Sequence, residues 1–400
     1  MLNVISLNQA IEIAEHTVNG APPETERLPL CAAFGRVLGE DIESGENVPS
    51  FDRSTMDGFA VCAQDTFGAS GALPAMLDIV GEVGMGERTD LALSPGECVK
   101  IPTGGMLPAG ADAVVPVECT DAENGVCLVY ASVSPLQNVT RAGDDVAFGQ
   151  TVLKKGALLT PAAVGVLASM GREEVAVFQK LRVGVLSTGN ELVNIGQTPD
   201  IGQVRDVNSH LLASLVSSFG CEPVNYGIIK DDEGLLSDAI TRTAAANDIL
   251  LLSGGSSAGD ADRTAALVQK YGTLFCHGIA VKPGKPTVLG QIGSTPVFGL
   301  PGHPAACFFM AQVLVKRHVF ARMGRTDAAL PLTLPLSEHV SSNHGREELL
   351  CVRIENGFAV PVYAKSGVIS LLTAAHGYTV IPREKEGLAK GAEVLVYPFV

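Results

Sequence analysis

The apolar positions of this chain change period twice along its length. Over 6–19, Leu7, Ala10, Ile11 and Ala14 recur at helical spacing behind Ser6, a hydroxyl placed to cap the first turn. A second apolar segment runs from Leu28 to Ile42, and the turn-rich stretch NVPSFDRSTMDGFAV follows. From about 60 to 145, short β-prone runs (MLDIVGEV, ECVKIP, ADAVVPVE, GVCLVYASV) alternate with Gly/Pro turns, which predicts a small all-β barrel or sandwich. The stretch 151–171 reads as a strand and then a helix. From 181 the texture changes again. LRVGVLSTGNEL is a strand opening into a Ser/Thr/Gly loop, and VNSHLLASLVSSFG is a helix ending on Gly220 as its C′ glycine. PVNYGIIKDD, LLSDAITRTAAAN, DILLLSGGSSAGDAD, RTAALVQKYG and VFGLPGHPAACFFMAQVLVKRHVF continue the strand–helix alternation. That alternation predicts βαβ units and a mostly parallel sheet. The unbroken apolar run Ile249–Leu252 predicts a strand covered on both faces. From about 329 short β runs return, predicting a small C-terminal β domain.

Composition narrows the classes. A chain of 400 residues with 46% hydrophobic positions has material for several packed cores. The formal net charge of −15 argues against a protein that coats nucleic acid, which needs a basic surface. The first twenty residues lack the basic and apolar regions of a signal peptide, and no apolar run is long enough to span a bilayer. The nine cysteines are odd in number and show no C-x-x-C spacing, so neither a disulfide framework nor a structural zinc site is expected. Buried, reduced thiols in a cytoplasmic protein are the expectation.

Open α/β sheets bind ligands at the carboxyl ends of their strands. Three loops here leave such ends: 187–192 (STGNEL), 253–262 (SGGSSAGDAD) and 300–306 (LPGHPAA). None carries a dinucleotide or P-loop glycine pattern. Gly254, Gly255 and Ser256, entering a helix, still offer backbone N–H groups to a phosphate or another oxyanion, though an ordinary Gly-rich turn reads the same way. Loop carboxylates form a second feature: Asp57, Asp145, Glu191, Asp231 and Asp262. Three of the five follow strands of the α/β region, and carboxylates that converge bind Mg²⁺ or act as acid/base groups. Singly, Asp57 suits a turn, and Asp231 and Asp262 suit helix caps. Lys282 and Lys285 sit in the Pro/Gly-stiffened segment VKPGKPT, which suits a phosphate or an oxyanion such as molybdate or sulfate, though exposed lysines are usually just solvated. Among the histidines only His303, in LPGHP, stands in a suspicious place.

In order along the chain stand FDRSTMDGFAV, IPTGGMLPAGADAVVPVE, RAGDD, VGVLSTGNEL, DVNSHLL, GIIKDD, LLSGGSSAGDAD, VKPGKP and GLPGHPAA. The ordered set resembles the MoeA-type molybdopterin molybdenumtransferases, the family of the gephyrin E domain, from about residue 5 to 398. The resemblance implies a reaction in which molybdate is inserted into adenylylated molybdopterin. The adenylyl linkage is cleaved with Mg²⁺, and molybdenum cofactor and AMP are released. It implies a cytoplasmic homodimer that works with a molybdopterin adenylyltransferase and cofactor-accepting molybdoenzymes, without nucleic acid or membrane. The implied fold is multidomain α/β plus β. Residues 1–46 and 146–177 form a helical and extended segment packed near the C-terminal domain, and 47–145 a small β domain. Residues 178–327 form a MogA-like α/β molybdopterin-binding domain with a mostly parallel sheet, and 328–400 a barrel-like C-terminal β domain.

By motif, the implied catalytic residues are Asp57, Thr103, Asp145, Glu191, Asp231 and Asp262, with Glu191, Asp231 and Asp262 toward the metal. Substrate-binding roles fall on Ser187, Thr188, Gly189, Ser253, Gly254, Gly255, Ser256, Lys282, Lys285, Pro301, Pro304, Arg346 and Ser366. The chain departs from the family's pattern at His303 and His376, where Asn is usual, and at Arg263, where Tyr is usual. Competing readings are an adenylyltransferase of the neighbouring step, a scaffold without catalysis, and tungstate in place of molybdate. The full carboxylate set counts against the scaffold, and the flanking β domains against the adenylyltransferase.

Overall fold

The computed structural model describes residues 4–18, 20, 23–254, 258–325, 330–363 and 368–399, with the side chains of 258–262 outside that description. At its centre is a six-stranded sheet. Its strands, in chain order, are β1 (Arg182–Thr188), β2 (Glu222–Ile229), β3 (Ile249–Gly254), β4 (Thr273–His277), β5 (Val288–Ile292) and β6 (Thr295–Pro301). They lie side by side as β2-β1-β3-β6-β5-β4. The helices α1 (Asn208–Ser218), α2 (Glu233–Ala246), α3 (Ala258–Tyr271) and α4 (Pro304–Met310) pack on both faces. Val183, Val185, Leu251 and Phe298 meet α1 and α4 on one face. Leu186, Leu250, Leu252 and Val297 meet Leu236 and Ile240 of α2 and Val268 of α3 on the other. Ile249, Leu250, Leu251 and Leu252 are at most 2% exposed, as a strand covered on both faces requires.

Only part of this sheet is parallel. β2, β1, β3 and β6 pair in parallel, while the β6–β5 and β5–β4 pairs are antiparallel, so β5 alone runs against the rest. Chain length explains the difference. A parallel neighbour needs a crossover of a dozen or more residues, whereas Ile292 pairs with Thr295 across a two-residue turn in which Gly293 has φ +58°.

Two further sheets flank the centre. The small β sheet runs in the order Ala113–Pro116, Gly58–Val61, Glu97–Ile101, Ala75–Glu82, Val126–Val129, Thr120–Glu123. Thr25–Pro29 pairs with Glu174–Phe178, and Ile42–Glu43 with Thr151–Leu153, so the chain entering and leaving the small sheet is stitched together. The C-terminal sheet is built on Glu347–Glu355, and a bridge from Leu336 to Ala359 draws its edges together. A cluster of Phe308, Phe309, Tyr378 and Phe399 seats this sheet on α4.

The helix expected near the N-terminus forms as Leu7–Glu12 and continues in the wider turns of Ile13–Thr17. Ser6 and Gln9 cap each other's backbone N–H groups. Its apolar side, Leu7, Ala10 and Ala14, joins the core of the central α/β layer. Gly220 takes φ +88° just past α1, the left-handed ending its position predicts.

Candidate active site

Strand order decides where the site lies. The connection from β1 leads to β2 on one side, and the next returns to β3 on the other, which leaves a crevice at the carboxyl ends of β1 and β3. A cavity of about 430 Å³ opens there, a size suited to a small-molecule ligand. Thr188 closes β1 at its edge, and Ser253 and Gly254 close β3. A Cβ on Gly254 would sit 1.8 Å from Thr188 Oγ1, so only glycine lets the two strand ends approach this closely.

The floor is a hydrogen-bonded clasp. Asn208, at the start of α1, donates through Nδ2 to Ser253 Oγ (2.7 Å) and to the Gly302 carbonyl (2.8 Å). It thereby ties α1 to the loops after β3 and β6. Its Oδ1 is buried, with no partner among the described residues. Asp206 accepts from Ser187 Oγ (2.9 Å) and from the Ser209 N–H (3.1 Å) through one oxygen, Oδ1. Behind the floor, burial pushes the Cys307 thiol up to about 12, so it stays neutral and is no nucleophile. Asp206 and Asn208 were not among the residues singled out by sequence. Their signal was the string DVNSHLL, which also reads as an ordinary helix start.

The expected site residues fall into groups. Ser187, Thr188, Ser253 and Gly254 stand together at the strand ends, with Gly189 just beyond β1. Glu191 lines the main cavity, as do Pro304 and the exposed His303 on its rim. Pro301 ends β6 beside Gly254. Asp231 lines an adjoining cavity of about 360 Å³ with Glu233 and Arg263. The loops of Glu191 and Asp231 are locked together. The Asn190 N–H donates to Asp231 Oδ2 (3.2 Å), and the Asp231 N–H to Asn190 Oδ1 (3.2 Å). Asp231 does not cap the following helix; Asp232 does, accepting from the Leu235 N–H at 2.9 Å. Gly255, Ser256 and Ser366 lie outside the described residues, as does the side chain of Asp262. Among the described residues no three metal-binding groups cluster.

Two groups lie elsewhere. Lys282 sits in a two-residue strand that leaves the central layer and pairs with Glu347–Glu348 of the C-terminal sheet. Its Nζ is 2.8 Å from Glu348 Oε1. Lys285 is exposed beyond it, and Arg346 precedes the partner strand. Asp57, Thr103 and Asp145 belong to the small β sheet and its edge. Asp57 Oδ1 accepts from the Thr103 N–H (2.7 Å) and Oγ–H (2.9 Å). Asp145 is exposed, with its backbone N–H on the Val48 carbonyl (3.1 Å).

Comparison with known proteins gives one consistent answer. The MoeA N-terminal region (domain I and II) matches residues 5–171, the "Probable molybdopterin binding domain" 184–320, and the MoeA C-terminal region (domain IV) 333–399. The chain is 33% identical over 387 residues to the molybdopterin molybdenumtransferase of Haemophilus influenzae, covering 94% of this chain and 95% of that one. It is 32% identical over 403 residues to that of Synechococcus elongatus, covering 98% and 99%. The crystal structure of a molybdopterin biosynthesis MoeA protein from Pyrococcus horikoshii superposes with a TM-score of 0.86 at 31% identity, covering 99% of this chain and 100% of that one.

Proposed function

The chain belongs to the MoeA family of molybdopterin molybdenumtransferases, and we propose that it completes molybdenum cofactor by inserting molybdate into adenylylated molybdopterin, releasing AMP. The observation that carries this reading is the cavity between β1 and β3, where hydroxyls, backbone N–H groups and carboxylates meet at a strand-order reversal. A polyanionic substrate needs such donors at its phosphates and an apolar wall for its ring, and Leu192, Val204 and Val207 supply the wall.

The reading implies Mg²⁺, and the donor set suits it. Mg²⁺ takes one or two carboxylates together with substrate phosphates and keeps several waters. Glu191 and Asp231 stand on two loops fastened to each other; Glu191 lines the main cavity, and Asp231 lines a small cleft on the other side of Thr188, which borders both. They are the residues that would hold the ion, which when bound neutralises charge on the adenylyl linkage. Thr188, Ser253 and Gly254 orient the phosphates. Asp57 supplies a fixed carboxylate. In the homodimer that this reading includes, Asp57 of one protomer faces the cavity of the other.

The test is AMP release from adenylylated molybdopterin and Mg²⁺, with and without molybdate, the product being used to activate an apo-molybdoenzyme. Molybdate-dependent AMP release with active cofactor is expected. Binding of the pterin without AMP release would refute the transferase.

A further inference from the structure

We propose that Asp206 selects the heterocycle of the substrate: its open carboxylate oxygen accepts a hydrogen bond from the exocyclic amino group of a pterin ring seated between β1 and β3. The proposal rests on the transferase reading and adds which part of the substrate enters this cavity and which residue recognises it. Asp206 is 5% exposed and lines the cavity. Its Oδ1 is engaged twice, by Ser187 Oγ–H at 2.9 Å and by the Ser209 N–H at 3.1 Å. Those two bonds set the rotation of the carboxylate. Among the described residues nothing donates to Oδ2. Oδ2 is not sealed in the interior, and Asp206 lines the cavity, so a ligand seated there can donate to this charged oxygen in place of water.

Asn208 beside it spends Nδ2 on Ser253 and Gly302, so it adds no free side-chain donor at this point of the cavity. Toward a ligand, the Asp206 carboxylate presents an acceptor. Phosphate and molybdate oxygens are acceptors too, so they are repelled from it. The 2-amino-4-oxopyrimidine edge of a pterin carries N–H donors. Its exocyclic amino group projects furthest from the ring and can serve a carboxylate that has a single open oxygen.

A purely structural role is the alternative, because Oδ1 also caps α1. Asp206→Asn separates the two: the amide oxygen keeps both existing bonds, while an amino group replaces the open oxygen. The experiment is a fluorescence titration of the full chain with pterin and with lumazine, which carries a carbonyl in place of the 2-amino group. The wild type should bind pterin about tenfold more tightly or better, the worth of one hydrogen bond to a charged group. Asp206→Asn should lose or reverse that preference at an unchanged melting temperature. Equal affinity for the two rings in the wild type, no binding of either, or a preference kept by Asp206→Asn would overturn the proposal. The wild-type comparison stands even if the variant fails to fold. AMP release without ring selectivity removes Asp206 and leaves the transferase; ring selectivity without AMP release does the reverse.

Discussion

Asp57 is exposed, yet its environment is specific. Two hydrogen bonds from Thr103, first the backbone N–H and then the hydroxyl, hold its carboxyl below the usual carboxylate range. Both favour the ionised form, so at neutral pH Asp57 acts as a carboxylate and not as a proton donor. Asp57→Asn should lower turnover by about two orders of magnitude or more, with little change in melting temperature because the side chain is exposed. Steady-state AMP release checks this, and unchanged turnover would remove Asp57 from the mechanism. The sequence flagged Asp57 and Thr103 in separate strings. That they form one unit was not legible, because the hydrogen bond spans 46 positions and depends on how the small sheet folds. Asp206 was missed for a different reason. An aspartate two residues ahead of a helix reads as a cap, and the open second oxygen appears only once the first is seen to be engaged.

Elements were more legible than contacts. The strand–helix alternation located β1, β2, β3 and β6, since each alternates with a helix, and β1, β3 and β6 are shielded on both faces. The antiparallel edge was not visible, because the apolar period of a buried strand carries no direction and only the two-residue turn at Gly293 sets it. Nor did the period of the first helix say which core it joins. One contact answers that: His318 Nδ1 lies 2.8 Å from the Ala14 carbonyl, with the Phe298 ring 5.3 Å away. Since a carbonyl only accepts, Nδ1 must carry a proton. Burial first, and then the Arg322 cation, depress its pKa to about 4, against the opposing pull of the Ala14 bond. The unfolded chain therefore binds a proton at higher pH than the folded one. The stability that His318 adds is complete above its ordinary value of 6.5 and is lost as pH falls from there toward 4. The loss should be on the order of 3 kcal/mol. His318→Gln keeps a donor for Ala14 without the titration. Denaturant unfolding at pH 7 and pH 4.5 should show a smaller acid loss in the variant, and equal losses would discard His318 as the source.

At the scale of the whole molecule, the two halves of the expected machinery sit on different sheets. Thr188, Glu191, Ser253 and Asp231 surround the crevice of the central sheet, whereas Asp57, Thr103 and Asp145 lie on the small β sheet or its edge. The two sheets share no strand, and among the described residues no hydrogen bond of the Asp57 or Thr103 side chain reaches the central layer. A cleft made between protomers reconciles this separation with a single reaction. It also makes a prediction that a cleft within one chain does not. Asp57→Asn and Glu191→Gln should each be inactive alone. Mixed in equal amounts under conditions that exchange protomers, half of the dimers pair one variant with the other. Each such dimer holds one site with both defects and one with neither, so about a quarter of wild-type AMP release should return. If Asp57 served its own chain's cavity, every site in the mixture would carry a defect and none would recover. The readout thus separates the two arrangements by the presence of activity, and its size near a quarter tests whether the protomers exchange freely and each site acts independently.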